Sequence, residues 1–179
     1  MLVKILIGLA VLVALLVVLV AVQPSEFKVT RTATVAAPPS AVFAQVNDFH
    51  KWEAWSPWAK LDPAARNTFE GAPAGAGAGF AWAGNSKVGE GRMTITESRP
   101  SELVRIKLEF VKPFAATNTA EFTFKPEGDR TAVTWSMSGD NNFISRAVFL
   151  FVNMDKALGS EFEKGLASMK SAAEASAKN

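Results

Sequence analysis

Four segments between Val88 and Ser138 alternate apolar and polar residues, and this alternation constrains the fold more than any other feature of the chain. In Val88–Glu97, Met93 and Ile95 oppose Arg92, Thr94 and Thr96. In Leu103–Val111, Val104, Ile106, Leu108 and Phe110 oppose Arg105, Lys107 and Glu109. In Thr117–Lys125, Ala120, Phe122 and Phe124 oppose Thr119, Glu121 and Thr123, and in Thr131–Ser138, Val133, Trp135 and Met137 oppose Thr134 and Ser136. A period of two is the period of a strand, and an apolar set on one side only predicts an antiparallel sheet with one solvated face. Pro100-Ser101, Lys112-Pro113 and Glu127-Gly128-Asp129 supply the turns, the last of them closing a hairpin.

Such a sheet needs a cover for its apolar face. Leu158, Phe162, Leu166, Met169 and Ala173 recur at helical spacing, with Glu161, Glu163, Lys164 and Lys170 elsewhere on the turn, so a long terminal helix is expected there. Upstream, Phe27–Val35 reads as a strand with Val29, Ala33 and Val35 on one face and Arg31 interrupting it at the rim. Pro38-Pro39-Ser40 opens a short helix to about Asn47, and a second short helical stretch, Asp48 to Ala54, leads into Trp55-Ser56-Pro57-Trp58. Arg66–Glu70 and Phe80–Trp82 add two strands around the glycine-rich run 71–79. That run lacks a Gly-Lys-Ser/Thr ending and precedes a strand, so a flexible or bulged connection is preferred over a phosphate cradle.

The N-terminus is a different kind of segment. Of its first 22 residues only Lys4 and Gly8 are not hydrophobic, and Ile5–Val22 is an uncharged run of 18. At 1.5 Å per residue it spans about 27 Å, near the lower limit for crossing a bilayer. The run exceeds a typical signal-peptide core, and a cut after Ala21 would put Leu19 where a small residue is needed. An uncleaved transmembrane anchor over 1–22 is therefore expected, then a linker 23–26, a domain 27–175 and a tail 176–179. Lys4 against Lys28 and Arg31 is too small an asymmetry to orient it by charge. In a bacterium, a short N-terminal tail kept inside would place the domain in the periplasm.

Composition bounds the chemistry. The 179 residues include no Cys, no Tyr and one His, which excludes disulfides, thiolate chemistry, zinc ribbons, phenol catalysis and multi-His metal sites. Nineteen basic and 17 acidic residues are interspersed and give only +2, so no nucleic-acid footprint is read. No cofactor and no metal are expected.

The order strand, two short helices, a run of strands and a long terminal helix resembles the START/Bet v 1-like (SRPBCC, polyketide cyclase/dehydrase and lipid transport) superfamily. The residues that carry the resemblance are Ala37-Pro38-Pro39-Ser40-Ala41-Val42-Phe43, the stretch Asp48-Phe49-His50-Lys51-Trp52-Glu53-Ala54-Trp55-Ser56-Pro57-Trp58, and Glu161-Phe162-Glu163-Lys164-Gly165-Leu166. The resemblance implies an α+β helix-grip fold: a curved antiparallel sheet of six to seven strands around the C-terminal helix, with a largely apolar cavity between them. The N-terminal transmembrane helix is an addition to that domain.

Candidate ligand-binding residues follow from the two faces. Trp82, Met93, Ile95, Phe110, Phe122, Phe124, Trp135 and Met137 face inward, with Leu158 and Phe162 opposite on the helix; they are either a packed core or a lined cavity. Trp52, Trp55 and Trp58 either wall the cavity mouth or lock the short helices to the sheet, with the structural role preferred. His50 is isolated, and a surface or capping role is preferred. Glu97, in phase with Met93 and Ile95, is the weak catalytic candidate at the rim, since Glu109 and Glu121 point outward. The apolar run Ala147–Val152 is read as core in preference to a membrane contact.

The expected function is binding of an apolar small molecule or lipid by a membrane-anchored domain. The alternatives are a cyclase, dehydratase or hydrolase using Glu97, or a cell-envelope interaction module with a solid core.

Overall fold

The structure is a computed structural model and describes residues 1–177. Its elements are α1 (Leu2–Ala21), β1 (Glu26–Val35), α2 (Pro39–Val46), a 3-10 helix (Phe49–Ala54), β2 (Arg66–Gly71), β3 (Ala78–Ala83), β4 (Glu90–Arg99), β5 (Leu103–Lys112), β6 (Ala116–Glu127), β7 (Arg130–Asp140), α3 (Phe143–Phe149) and α4 (Met154–Ser176). The seven strands form one antiparallel sheet in the order β1-β7-β6-β5-β4-β3-β2. Every strand expected from alternation is present. β1 begins at Glu26, inside the expected linker, and α4 continues to Ser176, so the expected tail 176–179 begins inside that helix and its last two residues lie outside the described ones.

Local chemistry sets the helix ends. Pro38 stands at the N-cap position of α2 without a side-chain cap, and Pro39 occupies its first turn, where a missing N–H costs nothing. Asp48 caps the 3-10 helix by accepting from the His50 N–H at 2.9 Å, and the His50 Nδ1 meets the same carboxylate oxygen. Asn142 and Asn153 cap α3 and α4 by accepting from the Ser145 and Lys156 N–H groups.

The core lies between the concave sheet face and α4, which packs on β1, β7, α2 and the 3-10 helix. Gly165 lets α4 approach closely, because a Cβ there would stand 2.8 Å from the Trp135 ring and 3.0 Å from Pro57. At the sheet edge Arg31 lies on the concave face, and its guanidinium reaches α4 to pair with Asp155 at 3.0 Å and Glu163 at 2.7 Å.

α1 is 20 residues long, about 30 Å, and its surface is almost wholly uncovered by protein. It is long and apolar enough to cross a membrane, and a signal sequence has the same form. Its exit is fastened to the domain: the Asn141 N–H donates to Ser25 O at 2.7 Å, Asn141 Nδ2 to Pro24 O at 3.1 Å, and Arg146 Nη1 to Ala21 O at 3.4 Å.

The apolar run Ala147–Val152 is not core. It lies in and just after α3, where Val148, Phe151 and Val152 are exposed together with Phe143 and Ile144. Six consecutive apolar residues fit a buried segment, but α3 sits against the end of α1 and contributes no residue to the buried core.

Candidate functional site

Antiparallel register places side chains of neighbouring strands in rows across the concave face. One row runs Val29, Met137, Ala120, Ile106, Ile95, and a second runs Arg31, Trp135, Phe122, Val104, Ser98. A third runs Phe27, Gly139, Asn118, Leu108, Met93, Phe80, Phe69, and a fourth carries Phe110, Gly91 and Trp82. Seven of the eight inward residues expected on the sheet stand in these rows, and the eighth, Phe124, opposite Val133, continues the same face two residues beyond Phe122.

They do not share one environment. Under α4 the interior is filled. Trp135 is stacked between Phe162 at 4.0 Å and Phe122 at 4.8 Å, with Trp55 and Trp58 edge-on at 5.7 and 5.8 Å. Ile95, Phe122, Phe124, Trp135, Met137 and Phe162 are all buried in this cluster, and Leu158 packs on it half-buried. These residues were candidates for a cavity lining, and the structure packs them against one another instead. Large flat rings facing each other across the sheet–helix gap fill it at van der Waals distance. Trp135 Nε1 is buried with no acceptor among the described residues, so this packing leaves one donor unpaired.

Trp52 and Trp55 take the structural role. The indole N–H of Trp52 donates to Val46 O and that of Trp55 to Gln45 O, each at 3.0 Å, which ties the 3-10 helix to the end of α2. Both rings also touch Phe122.

The other end of the concave face lies beyond α4 and is only partly covered, with Phe49 of the 3-10 helix 6.0 Å from Phe80. Phe80, Trp82, Met93 and Phe110 are half-buried, with Trp82 stacked on Phe80 at 6.1 Å and edge-on to Phe110 at 6.0 Å. Trp82 is held flat across Gly91, where a Cβ would stand 2.5 Å from its ring, and its Nε1 donates to Val88 O at 3.0 Å. The only position in this wall without a side chain is thus occupied by an indole. Phe69 extends the wall at 5.4 Å from Phe80 and is itself stacked on His50. At the far end of the third row Phe27 lines a surface cavity of about 500 Å³ with Phe149, Phe151, Met154, Asn141 and Arg146. A second cavity, of about 560 Å³, opens among Gln45, His50, Lys51, Glu53 and Lys60 outside the 3-10 helix. The first lies at the mouth between Phe27 of β1 and Met154 at the start of α4, and the second lies outside the sheet–helix core.

One polar side chain stands in the third row. The Asn118 amide occupies the space above Gly139, between Phe27 and Leu108. It offers a donor and an acceptor within apolar walls, the usual arrangement for orienting an otherwise greasy ligand. Sequence reasoning passed over it, although Asn118 is in phase with Ala120, Phe122 and Phe124 and is the polar exception in that series.

Glu97 does not face the interior. A β-bulge between Ile95 and Glu97 inserts Thr96, and the extra residue reverses the facing of everything after it. Glu97 then pairs with Arg105 on the outer face, and Arg105 also donates to Glu121 at 2.8 Å. Glu121, and to a lesser degree Glu97, raise the pKa of the Arg105 guanidinium above its ordinary value. Ser98 turns inward in exchange and donates to Asn47 Oδ1 at 2.7 Å. The glycine-rich loop is tied down beside this bulge, with Gly75 N–H donating to Asn47 O and Gly77 N–H to Ile95 O.

Residues 26–174 match the family described as polyketide cyclase / dehydrase and lipid transport. No curated relative matches in sequence. Solved structures share the fold. The KanY protein is 15% identical with a TM-score of 0.62, the match covering 84% of this chain and 99% of that one. The Mll3558 protein from Rhizobium loti is 17% identical with a TM-score of 0.60, over 82% and 96%. The di-domain ARO/CYC StfQ of the steffimycin biosynthetic pathway is 14% identical with a TM-score of 0.60, over 86% of this chain and 52% of that one. At these identities the likeness is one of fold: the helix-grip architecture of Bet v 1-like proteins.

Proposed function

The chain belongs to the polyketide cyclase / dehydrase and lipid transport family, and on that premise we propose that it is a membrane-anchored domain that binds an apolar small molecule or lipid at the open end of its concave face. The observation that carries this reading is the division of that face. α4 seals the aromatic cluster around Trp135, whereas Phe80, Trp82, Met93 and Phe110 lie beyond α4 and remain half-buried, with Phe49 of the 3-10 helix against Phe80 alone. A wall of this kind offers apolar area that a ligand removes from water, with Asn118 placed to hold a polar group. In this reading α1 crosses the bilayer and the domain lies on its far side, in the periplasm of a bacterium.

Catalysis is not part of the proposal, because Glu97 is committed to Arg105 on the outer face. The filled interior favours one second reading, a cell-envelope interaction module with a solid core. Native mass spectrometry of the full chain released from lipid nanodiscs separates the two, using decanoate and longer fatty acids as probes. The ligand reading expects bound probe, and at least about tenfold weaker binding for Trp82→Ala and Phe110→Ala, since each removes an aromatic contact area. A chain that takes up no probe, or binds it equally well without those rings, supports the solid module instead.

A further inference from the structure

The exposed apolar residues of the domain are concentrated at one end of the sheet. β1 begins there, and register brings to the same end the C-termini of β7, β5 and β3 and the N-termini of β6, β4 and β2. Val111 and Phe114 sit in and after the end of β5, Leu61 precedes β2, and α3 with its following turn carries Phe143, Ile144, Val148, Phe151 and Val152. Phe151 is 84% exposed, Phe114 71% and Ile144 63%. The opposite end presents Arg99, Glu102, Lys125, Glu127, Asp129 and Arg130, and no large exposed apolar side chain among the described residues.

The apolar end is also where α1 leaves the domain. Val20 is buried and Arg146 of α3 donates to Ala21 O, so the bare apolar surface of α1 runs directly into that of α3. The half-buried wall of Trp82 and Phe110 opens at this end too, because both lie in the row nearest it.

We propose that this end, through Phe114, Ile144 and Phe151, is seated in the interface of the same bilayer that α1 crosses, so that the concave wall opens onto lipid and its ligand passes between membrane and site without crossing water. The inference rests on the reading of α1 as a membrane span. A lipid surface is favoured over a protein partner by this continuity with α1. The charges around the patch are mixed in sign: Lys28, Lys60, Arg66, Lys87, Arg146 and Lys156 are interspersed with Glu26, Asp62 and Asp140, and Lys112 is paired with Glu90 at 2.7 Å. Seating therefore depends on apolar contact and persists on zwitterionic lipid.

The chain has no cysteine, so single-cysteine variants of the full-length protein take one spin label each. Labels at Phe114→Cys, Ile144→Cys, Phe151→Cys, Leu12→Cys and Asp129→Cys are compared in phosphatidylcholine vesicles, with circular dichroism confirming the unaltered fold. The expected result is that labels at 114, 144 and 151 collide with an aqueous nickel chelate about tenfold less than the label at 129, approaching the label at 12. If the label at 12 is in lipid while those at 114, 144 and 151 match 129, the span stands and the seating is overturned. If the label at 12 is also aqueous, the span itself fails and the seating falls with it. Strong dipolar broadening between labels at 144 in two molecules would show a second copy on the patch, and overturns the proposal as well.

Discussion

Arg31 lays its guanidinium in the space that Gly159 leaves by lacking a side chain, and from there it holds both Asp155 and Glu163 of α4. The edge strand and the terminal helix are thereby joined at the one point where a charged residue interrupts the apolar face of β1. A Cβ at position 159 would overlap the guanidinium, so Gly159→Ala sets two effects against each other. Alanine stabilises a helix by about 1 kcal/mol over glycine, and displacing Arg31 offsets that gain. A double-mutant cycle in detergent micelles should show the full gain in an Arg31→Ala background and a smaller gain, or a loss, with Arg31 present. Equal gains in both backgrounds would show that the contact has no energetic consequence.

The same contact predicts a pH dependence. Hydrogen bonding to the Arg31 guanidinium holds the Asp155 carboxyl below its ordinary pKa. A depressed folded-state value stabilises the fold above the unfolded value of about 4, and that contribution is lost as pH falls through the folded one. Thermal melts between about pH 6 and pH 2 should therefore show wild type losing stability more steeply than Asp155→Asn. Parallel curves would remove Asp155 from the account.

Trp55 and Trp135 are both about 1% exposed, yet only Trp55 has an acceptor for its N–H. Replacing either by phenylalanine removes the same volume. Trp55→Phe also strands the Gln45 carbonyl, whereas Trp135→Phe removes a donor that has no partner. The first should cost about 1 kcal/mol more than the second. Denaturant unfolding measures the difference, and the reverse order would mean that the Trp135 N–H is paired in the folded protein.

Glu97→Gln tests the bulge. With the carboxylate on the outer face in a partly exposed pair, the substitution should cost at most about 1 kcal/mol in stability and leave probe binding unchanged. A large loss of binding would return Glu97 to the concave side.

The strands were legible because alternation is a local property of the sequence, and so were α4 and α1, whose periodicity and uniform hydropathy need no tertiary information. The facing of Glu97 was not legible, since a single bulged residue at Thr96 reverses the phase without any composition signal. The fate of the inward set was equally hidden. Alternation tells that Trp135 and Trp82 share a face, but whether a ring is sealed or open depends on where α4 lies, which Gly159 and Gly165 decide by letting it approach. Ala147–Val152 misled for the same reason, because an apolar run reads alike whether protein or another apolar phase covers it. Asn118 and Arg31 were readable as polar exceptions in apolar series, and each marks a place where the concave face departs from plain core.

In the proposed function an apolar ligand lies on the wall of Trp82 and leaves the cluster around Trp135 intact. The chain's five tryptophans, at 52, 55, 58, 82 and 135, make this directly measurable by fluorine NMR of 5-fluorotryptophan-labelled full-length protein in nanodiscs titrated with decanoate. The resonance of Trp82 should move progressively with decanoate while those of Trp55 and Trp135 stay in place. Movement of Trp135 and Trp55 with Trp82 unaffected would put the ligand beneath α4 and overturn its placement on the Trp82 wall.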